Sequence, residues 1–209
     1  MARTNDTRDR VLDAALVSFG GPGYEATSLD AIAADLGLSK QAILYYYPSK
    51  QALLDAVIDH SAVELAEVLE GAMVAAGPNG DRIEAVVRSV FRLALRRPEL
   101  LGLLREVSRL GPPAATRLTT ALDPMVQGAR GFLEAEMDAG RMRKSDPGLL
   151  LMSAYSTVLG AATEVEVLRA VGIEPGMKAM VRRRAELIGF LRSALLAPAP
   201  SSPPAVTAS

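Results

Sequence analysis

The sequence predicts an all-α protein of about nine helices, on three observations. Aromatic residues make up 4% of the 209-residue chain against 49% hydrophobic residues in total, so any core is built from Leu, Val, Ala and Met. That composition suits helices and is short of the residues that fill sandwiches and barrels. Apolar residues recur every three or four positions, and no segment alternates convincingly enough for a strand. Clusters of Gly, Pro and Ser divide these segments at intervals that match helix starts and stops.

The first helix is predicted to begin near Asp6 and to end at Gly20, Gly21, Pro22 and Gly23, with Val11, Leu12, Ala15 and Phe19 as its apolar stripe. Ser28 is a good N-cap for a helix running to Leu36, and Gly37 follows as a left-handed C-cap. Ser39 caps a short third helix that Pro48 stops. Ser49 caps a long fourth helix, where Leu53, Leu54, Val57, Ile58, Leu65, Val68, Leu69 and Met73 recur at helical spacing. Further breaks are expected at 77–80, 97–99, 111–113, 145–148 and 172–176, and the Pro/Ser/Ala-rich residues 198–209 are expected to be disordered.

Two short helices around a Gly-Leu-Ser turn form the pattern of a helix-turn-helix. Ile32, Leu36, Leu38 and Ile43 can lock the pair, and Ala33 keeps the crossing close. The second helix carries three successive tyrosines, "YYY" at 45–47, which cannot share one helical face. Ile43 and Tyr47, four apart, are expected inside; Gln41 with Tyr45, and Ala42 with Tyr46, form outward ridges of the kind a recognition helix presents to the major groove. Tyrosine hydroxyls there can donate to phosphate while the rings cover sugar or thymine methyls.

Residues 8–58 strongly resemble the DNA-binding domain of TetR-type bacterial transcriptional regulators. The resemblance is carried by Ala15, Phe19, Gly23, Tyr24, Thr27, Ser28, Ile32, Ala33, Gly37, Ser39, Tyr45, Ser49, Lys50 and Leu54, and covers about a quarter of the chain. It implies that the recognition helix from Ser39 and Lys40 through Gln41, Ala42, Leu44, Tyr45 and Tyr46 meets DNA, that Thr27 or Ser28 touches phosphate, and that Lys50 contacts the backbone. Most members carry a tyrosine where this chain has Leu44, so that phosphate contact is either missing or taken over by Tyr45. The net charge of −1 does not itself point to nucleic acid, and Asp and Glu outnumber Lys and Arg in residues 1–60. The positive charge must be local, at Arg3, Arg8, Arg10, Lys40 and Lys50, and affinity is expected to lean on dimerisation.

The chain is accordingly divided into a helix-turn-helix domain over 5–65, a helical effector-binding and dimerisation domain over 66–197, and the tail. Segments 147–171 and 176–196 are apolar on more than one face, which predicts a four-helix interface in a homodimer, with Val158 and Leu191 among its residues. A cavity for a small, mostly apolar effector is expected from Leu104, Arg105, Met125, Phe132, Met152 and Tyr155, with Glu106, Arg109 and Glu164 as further polar candidates. The resemblance implies a ligand-responsive repressor that leaves its pseudo-palindromic operator when the effector binds.

Other classes are poorly supplied. One histidine, no cysteine and no P-loop lysine argue against an enzyme, and His60 has no second ligand one turn away, so neither metal nor cofactor is expected. A helical adaptor would not need the tyrosine-bearing recognition helix. The N-terminus has no apolar signal segment, and the most apolar stretch, Gly148 to Thr163, is uncharged for 16 residues, short of the roughly 20 that span a bilayer. A cytoplasmic protein without membrane contact is expected.

Overall fold

The computed structural model describes residues 2–77 and 81–197, with side chains from residue 7 onward. The expected disordered tail, 198–209, lies outside the described residues. Among the described residues ten helices follow one another: α1 (Ala2–Gly20), α2 (Leu29–Leu36), α3 (Lys40–Tyr46), α4 (Lys50–Ala76), α5 (Arg82–Arg96), α6 (Pro98–Leu110), α7 (Ala114–Asp138), α8 (Pro147–Thr163), α9 (Val165–Ala170) and α10 (Met177–Leu195). Among the described residues the sole β pairing is an isolated bridge between Met142 and Leu196.

The caps explain where the first helices start and stop. Ser28, Ser39 and Ser49 each accept a hydrogen bond from the backbone N–H three residues on, at 3.0, 3.2 and 3.0 Å. Gly37 ends α2 at φ 66°, ψ 30°, a left-handed conformation that costs glycine little. Two boundaries differ from expectation. α1 begins at Ala2 rather than near Asp6. The single helix expected over 147–171 is two, because Glu164 leaves helical geometry at φ −81°, ψ 80°. No glycine or proline marks that break; the β-branched Thr163, Val165 and Val167 around it resist helix weakly, and the Thr163 hydroxyl bonds back to the Leu159 carbonyl.

The largest core cluster joins α1, α2, α3, α4 and α6, with Val11, Phe19, Ile32, Ile43, Leu53, Ile58, Leu101 and Val107 among its members. α4 runs unbroken for 27 residues, so the division at 65/66 falls inside a helix and beside a shared core. α1 and α6 meet backbone to backbone. A Cβ on Gly102 would sit 2.0 Å from the Gly20 carbonyl oxygen, and one on Gly20 would sit 2.1 Å from that of Glu99. Neither site has room for a side chain.

A second cluster packs Val87 and Phe91 of α5 against Val158 and Ala162 of α8 and Leu187, Ile188 and Leu191 of α10. Val158 and Leu191 are therefore covered by their own chain, which corrects their expected place between subunits. Their helical faces turn toward α5, which periodicity alone could not foresee. The faces left uncovered are different ones: Leu149, Met152 and Tyr155 on α8, and Met177, Val181 and Phe190 on α10. No helix among the described residues is long and apolar enough to cross a membrane.

Candidate nucleic-acid interface

Helices α2 and α3 form a compact pair because Ile32, Ala33 and Ile43 are fully or almost fully buried, with Leu36 and Leu38 packed at their edge. The turn between them is closed by Leu38 N–H donating to the Ala33 carbonyl at 2.8 Å. α1 braces the pair: Arg8 Nε donates to the Tyr47 hydroxyl at 3.3 Å, and Arg10 Nη2 reaches the Leu36 carbonyl at 3.5 Å. These arginines thus have a structural engagement beyond any contribution to local charge. The side chain of Arg3 lies outside the described residues.

The three tyrosines separate into three environments. Tyr47, just past the helix end at φ −133°, ψ 101°, is buried. Tyr45 is 82% exposed. Tyr46 was expected to stand outward beside Tyr45, yet it is half-buried against the core, with its ring edge-on to Tyr45 at 5.1 Å. Tyr46 lies three residues after the fully buried Ile43, and positions three apart share a helical face as much as those four apart do. Leu44 is likewise half-buried and packs on the core. The outward ridge is therefore Gln41 and Tyr45, with Lys40 at the helix start and Ala42 half-buried.

The flanking polar groups also separate. Thr27 is buried, and its hydroxyl lies 2.8 Å from the Gly23 carbonyl and 3.1 Å from that of Ser18, so it is committed to the turn. Ser28 is the exposed member of the two, at the N-terminus of α2. Such a helix end, with its cap hydroxyl, favours an anion. Lys40 Nζ pairs with Asp30 at 2.8 Å, both side chains well exposed. Lys50 Nζ lies 4.1 Å from the centre of the Tyr24 ring, a cation–π contact that holds the ammonium near the start of α4. Exposed Ser28, Ser39 and Ser49 all sit at helix N-termini of this region.

Of the residues expected to line an effector cavity, Arg105 and Tyr155 lie near each other, while the others are distributed between the core and the surface. Leu104 is in the main core with α1 and α4, because α6 turns that face toward the N-terminal helices. Arg105 pairs with Glu164. Glu106 and Arg109 pair with each other, and Glu106 also accepts from the Tyr24 N–H. Phe132 lies under the Arg82 guanidinium at 4.6 Å, Met125 is half-buried on α7, and Met152 and Tyr155 are on the exposed side of α8. Desolvation raises the Tyr155 phenol above its ordinary range, with nearby Arg105 opposing. A groove of about 880 Å³ opens instead between α4 and α5, lined by Val68, Ala72, Ser89, Arg92 and Arg96 among others and by none of the six expected residues. His60 is exposed, and no cluster of potential metal ligands occurs among the described residues.

The family model described as "Bacterial regulatory proteins, tetR family" matches residues 11–57, the segment that holds this helix pair. The HTH-type transcriptional repressor DrrR1 of Streptomyces coeruleorubidus is 31% identical over 125 residues, 57% of this chain and 44% of that protein. The chain thus spans less than half the length of that relative. A TetR transcriptional regulator from Chloroflexus aurantiacus J-10-FL has the same fold, with a TM-score of 0.72 at 21% identity, covering 95% of this chain and 100% of that one. A transcriptional-regulator structure from Saccharomonospora viridis, in complex with choline, also gives 0.72 at 18% identity, covering 93% and 100%. These relatives are regulators, not enzymes. Residues 11–57 thus carry a helix-turn-helix that matches the TetR family of bacterial regulatory proteins, and the chain as a whole has the fold of TetR-type transcriptional regulators.

Proposed function

We propose that the chain is a cytoplasmic, ligand-responsive repressor that binds a pseudo-palindromic DNA operator as a homodimer and releases it when a small, mostly apolar effector binds. The observation that carries the DNA-binding part is the exposed ridge of Gln41 and Tyr45 on a helix whose other faces are packed. Residues 5–65 supply this surface, with Ser28, Ser39, Lys40 and Lys50 as the surrounding contacts to backbone, and residues 66–197 supply dimerisation and effector binding. Repression is the activity named for the Streptomyces relative.

Dimerisation is supported by the uncovered apolar face of α8 and α10. On α10, Val181, Ala185 and Gly189 recur every fourth residue beside Phe190, and all are exposed. On α8, Leu149 and Met152 are exposed too. Two adjacent helices with such a face call for a second copy, which gives two recognition helices related by two-fold symmetry. The effector part is supported by the fold, which holds choline in the Saccharomonospora neighbour.

Selection of duplexes with the purified protein tests the first part. Gln41→Ala or Tyr45→Ala is expected to weaken the selected site by about 1–3 kcal/mol per lost base contact and to relax base preference. Wild-type binding by both variants would remove the groove assignment. Val181→Glu and Ala185→Glu are expected to sediment as monomers with reduced operator affinity; dimers of full affinity would place the interface elsewhere. A thermal-shift screen of apolar metabolites, followed by operator release, tests the effector.

A further inference from the structure

Tyr24 stands where the helix-turn-helix meets the rest of the molecule. Its backbone N–H donates to Glu106 Oε1 at 2.7 Å, across 82 residues of sequence. Arg109 grips the same carboxylate from the other side, with Nε and Nη2 each at 2.8 Å. The Glu106 side chain is 10% exposed, so three charge-assisted bonds fix an almost enclosed group in one place. The Arg109 bond, and then the Tyr24 amide, hold its carboxyl below the usual carboxylate range although burial pushes the other way.

The Tyr24 ring carries that fixed position outward. Phe19 meets it edge-on at 5.3 Å, its hydroxyl donates to Gln51 at 3.4 Å, and its face supports Lys50 Nζ at 4.1 Å. Lys50 forms no ion pair with an acid among the described residues, so the ring is what locates its ammonium. Glu106 belongs to α6 and lies far outside the matched segment 11–57.

We infer that Glu106 is a positioning residue for DNA binding: it fixes Tyr24, and the Tyr24 ring holds the Lys50 ammonium where the duplex backbone is met. This rests on the DNA-binding function proposed above. Removing the carboxylate leaves the Tyr24 amide without its acceptor and lets the ring turn away from Lys50. Affinity falls without a change in base preference, because a backbone contact is lost and not a base contact.

A double-mutant cycle in the full-length protein, with a selected duplex over a range of salt, tests this. Lys50→Ala is expected to lower the salt slope by about one. Glu106→Ala is expected to weaken binding roughly two- to fivefold, as loss of an exposed cation–π contact would, and to lower the slope toward the Lys50→Ala value. The double variant should bind little worse than Lys50→Ala alone. Glu106→Gln, which keeps an acceptor oxygen for the Tyr24 amide, should recover most of the affinity. Arg109→Ala, which leaves the Tyr24 bond in place but frees the carboxylate, should fall between wild type and Glu106→Ala. If the Glu106→Ala loss is as large in the Lys50→Ala background as in wild type, Glu106 acts through general stability and the inference is wrong. A wild-type protein that selects no duplex would instead remove the DNA-binding function itself.

Discussion

The helix-turn-helix region and the α8–α10 region use similar helices to opposite ends. In the first, Ile32, Ile43, Leu53 and Leu54 are fully buried and the outer positions are mostly polar, with Tyr45, Val17 and Val63 the large exceptions. In the second, Val158, Leu187 and Leu191 are buried, yet Leu149, Met152, Val181 and Phe190 remain in the open, Phe190 by 59%. The first closes its own core and shows a polar face suited to a polyanion. The second closes one core and leaves another half-built. The difference teaches that burial by a single chain reports the fold, while exposed apolar area reports what the chain still has to meet.

The largest effect that would break this contrast lies in the first core. Ile43→Ala is expected to cost about 2–5 kcal/mol in denaturant unfolding, because the site is fully enclosed. Phe190→Ala should cost little in a dilute monomer and show its effect as weaker self-association at higher concentration. Equal, concentration-independent losses in the two variants would erase the distinction. Next comes the junction between the regions: Gly102→Ala must displace a backbone carbonyl, and roughly 1–3 kcal/mol of destabilisation is expected in thermal unfolding. An unchanged midpoint would show that α1 and α6 separate easily.

Smaller still is the capping of the recognition helix. Ser39→Ala removes the acceptor for the Ala42 N–H and should lower stability by about 1 kcal/mol. If Ser39 serves only as a cap, Ser39→Asp should keep stability. The smallest effect is in pH. Glu106 has a carboxyl pKa lowered in the fold by Arg109 and the Tyr24 amide. Its stabilisation is therefore present in full above the ordinary carboxylate range and is lost as pH falls through the lowered value. Acid titration of stability should show a shallower decline in Glu106→Gln than in wild type; parallel curves would show that the group contributes nothing.

The same contrast marks what could be read from sequence. Around Ser28, Gly37, Ser39 and Ser49, local chemistry dictates local geometry, and each cap stands where its residue type indicated. The inner placement of Ile43 and Tyr47 followed from periodicity. Periodicity failed where more than one face was apolar: Val158 and Leu191 face α5, and nothing in their spacing says which neighbour covers them. Tyr46 packs on the core because it lies three residues after Ile43, a step that shares a helical face as the four-residue step from Ile43 to Tyr47 does. Leu104 and Met152 have the composition of a pocket but lie on helix faces that point to different parts of the molecule. The bond from Glu106 to Tyr24 had no sequence signal at all, since a carboxylate accepting a distant backbone N–H belongs to no motif.

The contact between Gly20 and Gly102 constrains how these regions can move. Where side chains interdigitate, helices can slide by exchanging rotamers. Here two main chains touch with nothing between them, so α1 has no compliant layer at this point of α6. Sliding would drive a carbonyl into the neighbouring turn, whereas rotation about the point of contact moves every other atom and leaves that pair in place. At this point the pair of helices is therefore expected to change its crossing angle more readily than its spacing.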